Sequence, residues 1–289
     1  MKKDVIVGSI TNYNFDQIKP WVNSLDQCGF TGDKVMICYN INTSVADEMI
    51  SRGYKIFAFN QIGSNLVYNN PNFNIVVDRF FHMWLFFKQI KDQYRYIIST
   101  DVRDVIFQGN PSDWLEINMK DKKINASSES ILYKDEIWGT NNLLKSYGPD
   151  IHAAFNNNLI VNAGVMAGEI ETMLDLFLNI YVMCNGASSH NISGGGGPDQ
   201  AAYNILLSSK IYQDVTNIAS SEDGWASQLG TTGFQSSYGA EGKLVEAQPQ
   251  IINGVICTSK GIPFTIVHQY DRIPELNEYI FNKYKKDNK

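Results

Sequence analysis

A chain of 289 residues with 44% hydrophobic content can bury a core of its own without disulfides or structural metal. A formal charge of -6 and a pI near 5.3 exclude a general nucleic-acid binder, which needs a clustered excess of Lys and Arg to release counterions. The four cysteines, Cys28, Cys38, Cys184 and Cys257, form no CxxC pair, so neither a zinc site nor a disulfide framework is expected, and they read as reduced, mostly buried thiols.

The chain opens on Met1, Lys2 and Lys3 and then a short apolar run over residues 5–10, too short for the core of a signal peptide. This run reads as a β-branched strand. A polar turn follows at residues 11–14, then a helix ending near Cys28 with Ile18, Trp21, Val22 and Leu25 at helical spacing. Pro20 is expected near its start, because proline is tolerated in a first turn. Residues 35–39 read as a second strand, 44–52 as a helix capped by Ser44 and stopped by Gly53, and 54–59 as a third strand. Strand and helix in alternation imply a parallel sheet covered on both faces.

Asn, Gly63 and Pro71 mark residues 63–74 as a loop. A helix over 75–92 then carries Phe80, Phe81, Trp84 and Phe87 on one face, a stripe that reads as core. Its apolar stretch at 80–87 is interrupted by His82 and falls far short of the ~20 residues a membrane span requires. A soluble, cytoplasmic protein without a transmembrane segment is therefore expected. Residues 94–99 form the fourth strand, and its end delivers Asp101, Arg103 and Asp104 before a short strand at 105–107. Ligands of open α/β sheets sit beyond the carboxyl ends of the strands, which is where Asp101 would lie.

The second half has a polar segment at 125–130 leading to Asp135, Glu136 and Trp138, a strand at 159–166 and a helix at 169–184. Four glycines at 194–197 precede Pro198, Asp199 and Gln200, which open a helix through Leu207. Such a run beside an acid is what a mobile lid would use. Strands are expected at 254–258 and 265–268, a closing helix at 274–284 and a frayed tail at 285–289.

An apolar strand ending in the acids Asp101 and Asp104 resembles the Asp-x-Asp signature of GT-A glycosyltransferases. Asn162-Ala163-Gly164-Val165 resembles a stretch of the glycogenin-like members, Asp199-Gln200 their Asp-Gln element, and His268 their late metal-binding histidine. The resemblance runs in the same order over most of the chain and extends more loosely to small viral and bacterial glycan-synthesis domains. It implies an α/β GT-A fold, a Rossmann-like central mixed sheet flanked by helices. A single domain over 1–289 is then expected, with residues 1–110 binding the nucleotide sugar and 111–289 the acceptor.

The resemblance also implies chemistry. A UDP- or GDP-sugar would be the donor and a glycan or glycoconjugate hydroxyl the acceptor. Mn²⁺ or Mg²⁺, held by Asp101, Asp104 and His268, would stabilise the departing diphosphate. The motif departs from its pattern at Arg103, so either Asp104 takes the second ligand place after a local bend or Arg103 itself neutralises phosphate. Thr11, Tyr13, Arg79, Asp101, Arg103, Asn162, Ala163 and Gly164 are expected around the donor, Gly164 because it permits close backbone approach. Asp199 is the expected catalytic residue; a helix-start acid also serves simply to complement the helix dipole. Asp135, Glu136, Trp138, Gln200 and Trp225 are expected near sugar or acceptor, carboxylates for hydroxyls and aromatic faces for a pyranose ring.

Three other readings compete. A sugar nucleotidyltransferase wants a Gly-rich basic loop after the first strand, where this chain has Thr11-Asn12-Tyr13-Asn14. A phosphatase of the haloacid-dehalogenase kind wants Asp-x-Asp-x-Thr, which residues 101–105 lack. A noncatalytic glycan-binding protein would use the Trp and Tyr surfaces and release no diphosphate.

Overall fold

The computed structural model describes residues 2–189, 196–232 and 242–284. Gly194 and Gly195 of the glycine run, and the expected frayed tail at 285–289, lie outside the described residues. The first half builds β1 (Lys3–Thr11), α1 (Phe15–Gln27), β2 (Asp33–Tyr39), α2 (Thr43–Ser51), β3 (Lys55–Ala58), α3 (Ile75–Lys88), β4 (Tyr94–Thr100), β5 (Val105–Phe107) and α4 (Pro111–Asn118). The second half adds β6 (Ile124–Leu132), α5 (Ile137–Phe155), β7 (Leu159–Glu169), α6 (Ile170–Asn185), α7 (Asp199–Ser208) and β8 (Thr216–Ala219). β9 (Ala226–Gln228), α8 (Leu229–Thr232), β10 (Ile266–His268) and α9 (Pro274–Tyr284) close the chain's main elements.

Seven strands form one mixed sheet in the order β8-β6-β7-β4-β1-β2-β3. β1, β2, β3 and β4 run parallel, as the alternation in the first half requires, and β7 joins antiparallel to both β4 and β6. Alternate residues of each strand serve opposite faces. Val5, Val7, Val35, Ile37 and Ile97 pack in one core cluster with Phe80 and Met83 of α3 and Phe177 of α6. Ile6, Ile10, Met36, Cys38 and Ile98 pack in the other with Trp21 and Val22 of α1. A smaller sheet, β9-β10-β5, lies beyond the end of β4.

Several boundaries differ from the sequence expectations. α1 starts at Phe15 because Asn14 and Gln17 form a reciprocal capping box, so Pro20 sits inside the helix rather than at its start. α2 is capped by Asn42, whose side chain accepts from Ser44 N–H at 2.9 Å; Ser44 is therefore not the cap. α3 ends at Lys88, four residues short of the expected end at 92. α5 is an unanticipated helix broken at Gly148, where φ is 84° and Pro149 follows. Its Gly148 adopts a left-handed conformation that glycine reaches without strain. All four cysteines are free, and Cys38, Cys184 and Cys257 are buried.

Candidate active site

The end of β4, the middle of β7 and the start of α7 converge on a cleft of about 170 Å³. Arg79, Asp101, Asp104, Glu136, Trp138, Asn162, Ala163, Gly164, Asp199, Gln200 and His268, all anticipated from sequence, line it.

Asp101 leaves β4 directly, and its backbone N–H donates to the carbonyl of Gly164 at 2.8 Å. In the turn that follows, Val102 points into the core, filling the space beside Gly8. Arg103 points outward and pairs with Asp271 at 3.3 Å. The next residue, Asp104, therefore returns to the cleft, 7% exposed. The bend after β4 thus turns Asp104 to the cleft and Arg103 toward Asp271.

His268 ends β10 and lies across from both acids. Its Nε2 is 3.6 Å from Asp101 Oδ2 and 3.8 Å from Asp104 Oδ1. Nδ1 donates to Gln228 Oε1 at 2.7 Å, which leaves the Nε2 lone pair of a neutral ring facing the acids. One ligand atom from each of the three residues falls within 4.8 Å of the others. Two carboxylates and an imidazole are a donor set that accepts Mn²⁺ readily and Mg²⁺ through its oxygens. Burial acts against charge on His268, but Asp104 and Asp101 outweigh it and raise its pKa. Burial likewise pushes the Asp101 carboxyl up, and Arg79 and His268 more than reverse this, holding it below the ordinary range. For Asp104 burial prevails, aided by the charges of Asp101 and Asp271, and its pKa is raised.

Arg79, expected near the donor, has its guanidinium between two acids of the cleft. Nη1 bonds Asp101 Oδ1 and Nη2 reaches Asp199 Oδ2 at 3.3 Å. The arginine thus ties α3 to the ends of β4 and α7. Asp199 is the first residue of α7 and 7% exposed, and its carboxylate accepts from backbone N–H groups at the helix start, that of Gln200 among them. Burial raises its pKa to about 6, with Asp101 adding to the effect and Arg79 opposing it.

Asn162, Ala163 and Gly164 occupy a bulge in β7. The register with β6 jumps between Asn162 and Met166, which face Ser127 and Ala126 respectively. Facing reverses with it: Val161 and Ala163 serve one core cluster, Val165 the other. Gly164 packs so closely on His268 that a Cβ there would lie 2.3 Å from His268 Cε1. The close approach expected toward a donor sugar is, in the structure, made toward the histidine ring.

Glu136 lines the cleft with its carboxylate occupied as the cap of α5, accepting from Trp138 N–H at 2.9 Å and from Gly139 N–H. Burial raises its pKa. Tyr13 lies beside the cleft, within the fields of Arg103, Asp101, Asp104 and Asp271. Thr11 ends β1 and Asp135 sits in a short turn before α5; neither lines the cleft. Trp225 is fully buried against Trp114 in the core, which corrects the expectation that it offers a face to sugar. Glu129, Gln228, Thr231 and Gln269 were not anticipated. They come from segments whose sequence has neither periodicity nor motif to mark them.

No family profile and no curated protein matches this chain. Among solved structures it is similar to the apo-form glycosyltransferase GlyE of Streptococcus pneumoniae TIGR4, at 15% identity and a TM-score of 0.55. The chain has the fold of a glycosyltransferase. The match covers 99% of this chain and 61% of the GlyE chain, so the protein spans about three fifths of that structure's length. The mixed sheet flanked by helices is the GT-A architecture that the sequence resemblance implied. Among the described residues, no helix is long and apolar enough to cross a membrane.

Proposed function

We propose that this protein transfers a sugar from a nucleoside diphosphate donor, a UDP- or GDP-sugar, to a hydroxyl of a glycan or glycoconjugate. The observation that carries the reading is the convergence, in one cleft at the strand ends, of the Asp101-Asp104-His268 cluster with Asp199. In the reaction the bond from the anomeric carbon to the diphosphate breaks, a bond to the acceptor oxygen forms, and the hydroxyl proton leaves. Asp101, Asp104 and His268 would hold Mn²⁺ or Mg²⁺, which when bound supplies charge neutralisation for the leaving diphosphate.

The chain's own groups do the rest. Tyr13, within the fields of Arg103, Asp101 and Asp104, would stack on the base, and Arg103, paired with Asp271 beside Asp104, would reach the phosphates. Trp138, in the half formed by 111–289, offers an aromatic face to a sugar ring. Asp199 is the proton acceptor for the hydroxyl: its pKa of about 6 leaves it ionised at neutral pH yet basic enough to take a proton. Arg79 holds Asp199 and Asp101 in place. The order of the motifs supports transfer from a nucleotide sugar, and four unpaired thiols support a reducing, cytoplasmic setting.

The test is a panel of nucleotide sugars with and without acceptor glycans, reading released nucleoside diphosphate before and after chelation. Metal-dependent release from one donor class supports the proposal. Binding of a glycan with no release from any donor would leave a noncatalytic glycan-binding protein.

A further inference from the structure

Buried carboxylates are ordinarily paired with cations. Glu129 of β6 is 5% exposed, lines the cleft, and is held by three neutral donors from three different elements. Asn162 Nδ2 of β7 donates to Oε1 at 2.7 Å and Gln200 Nε2 of α7 to the same oxygen at 3.0 Å. Thr231 Oγ1 of α8 donates to Oε2 at 3.1 Å.

Because Glu129 Oε1 accepts from both amides, each turns its NH₂ toward Glu129 and its oxygen away. Those oxygens then meet backbone N–H groups of the β7 bulge. Asn162 Oδ1 accepts from Gly164 at 2.7 Å and Gln200 Oε1 from Ala163 at 3.3 Å. The bulge in turn carries Asp101, through the 2.8 Å bond from its N–H to the Gly164 carbonyl. The third donor leads to the histidine. Thr231 is followed by Thr232, whose hydroxyl donates to the Gln228 carbonyl at 2.8 Å, and Gln228 holds His268 Nδ1.

We propose that Glu129 is a positioning residue: by setting the orientation of Asn162 and Gln200 and anchoring Thr231, it holds Asp101 and His268 at the separation a divalent cation needs. The proposal rests on the reading of Asp101, Asp104 and His268 as a metal site.

Two readouts test it on the full chain: Mn²⁺ affinity by electron paramagnetic resonance, and hydrogen exchange at the Ala163 and Gly164 amides. Glu129→Ala strands three donors and frees both amides to flip. Exchange at Ala163 and Gly164 should accelerate, and Mn²⁺ affinity should fall about 10- to 100-fold, the usual effect of losing an outer-shell support. Glu129→Gln should preserve both, because its Oε1 still accepts from the two amides and the Thr231 hydroxyl can turn to accept from its NH₂.

Unchanged exchange at both amides in Glu129→Ala overturns the proposal. So does lost turnover in Glu129→Gln with exchange and Mn²⁺ affinity intact, which would put the carboxylate on the substrate. If Glu129→Ala does not fold, Asn162→Ala removes one arm, and normal exchange at Gly164 there is equally fatal. A wild-type protein that takes up no Mn²⁺ sinks the metal reading alone, while amide exchange still decides what Glu129 does.

Discussion

Among the described residues, two histidines are buried in opposite surroundings. His82 of α3 is 4% exposed and His268 of β10 is 2% exposed, so burial alone does not distinguish them. His82 lies among Tyr39, Phe59 and Tyr68, with Tyr39 Oη 2.9 Å from Nδ1 and Tyr68 Oη 3.4 Å from Nε2. Its partners are neutral, and burial lowers its pKa to about 4. His268 has two carboxylates before Nε2 and a neutral amide behind Nδ1, and its pKa moves up. A buried histidine becomes a candidate ligand through the charge it faces and the fixing of its far nitrogen. His82 has both ring nitrogens engaged by phenols and serves the core.

The largest expected effect is in the acids that distinguish His268. Asp101→Asn should lower donor-dependent turnover about 10³-fold, since a donor-side electrostatic contact is lost, with the circular dichroism spectrum unchanged. Near-normal turnover in folded protein would remove Asp101 from the site. Asp199→Asn should cost at least about 10²-fold in turnover and leave donor affinity little changed, as expected for a lost base. The acidic limb of the pH profile should go with it, because wild-type turnover should fall as pH drops through about 6, where Asp199 becomes protonated. A variant that keeps both turnover and that limb would reduce Asp199 to a partner of Arg79.

The histidine comparison itself has a stability readout. The unfolded chain takes up a proton on His82 near pH 6.5 and the folded chain only near 4, so stability should fall as pH drops through that window. The loss should reach about 3 kcal/mol from this group. His82→Phe should flatten that part of the denaturation curve and leave Mn²⁺ affinity untouched, whereas His268→Leu should abolish specific Mn²⁺ binding. Any dependence of Mn²⁺ binding on His82 would break the contrast. The smallest effect is expected from Gly164→Ala, whose methyl would displace His268 and weaken Mn²⁺ binding about tenfold, read by titration.

Local patterns made the parallel part of the sheet legible. β1, β2 and β4 are apolar runs bounded by polar turns, and the side-chain period of two needs no distant information. The acids after β4 were legible for the same reason, since a strand end in such a sheet is where a ligand meets the chain. α5 was not, because its apolar positions are interrupted by Gly148 and Pro149. Trp225 misled because an aromatic beside acids reads alike whether it faces solvent or packs on Trp114. Glu129 gave no signal, since its three donors lie 33, 71 and 102 residues away along the chain.

By itself the sequence determined the strand-helix alternation, the chemistry available at the strand ends and the order of the motifs, all of which depend on neighbours within a turn or two. Only the tertiary structure decided that Asp104 rather than Arg103 turns inward, that Arg79 joins Asp101 to Asp199, and that β7 bulges where Gly164 meets His268. Those outcomes depend on which strands become neighbours. A residue's burial and its partner's charge, which separate His82 from His268, exist only once distant segments pack together.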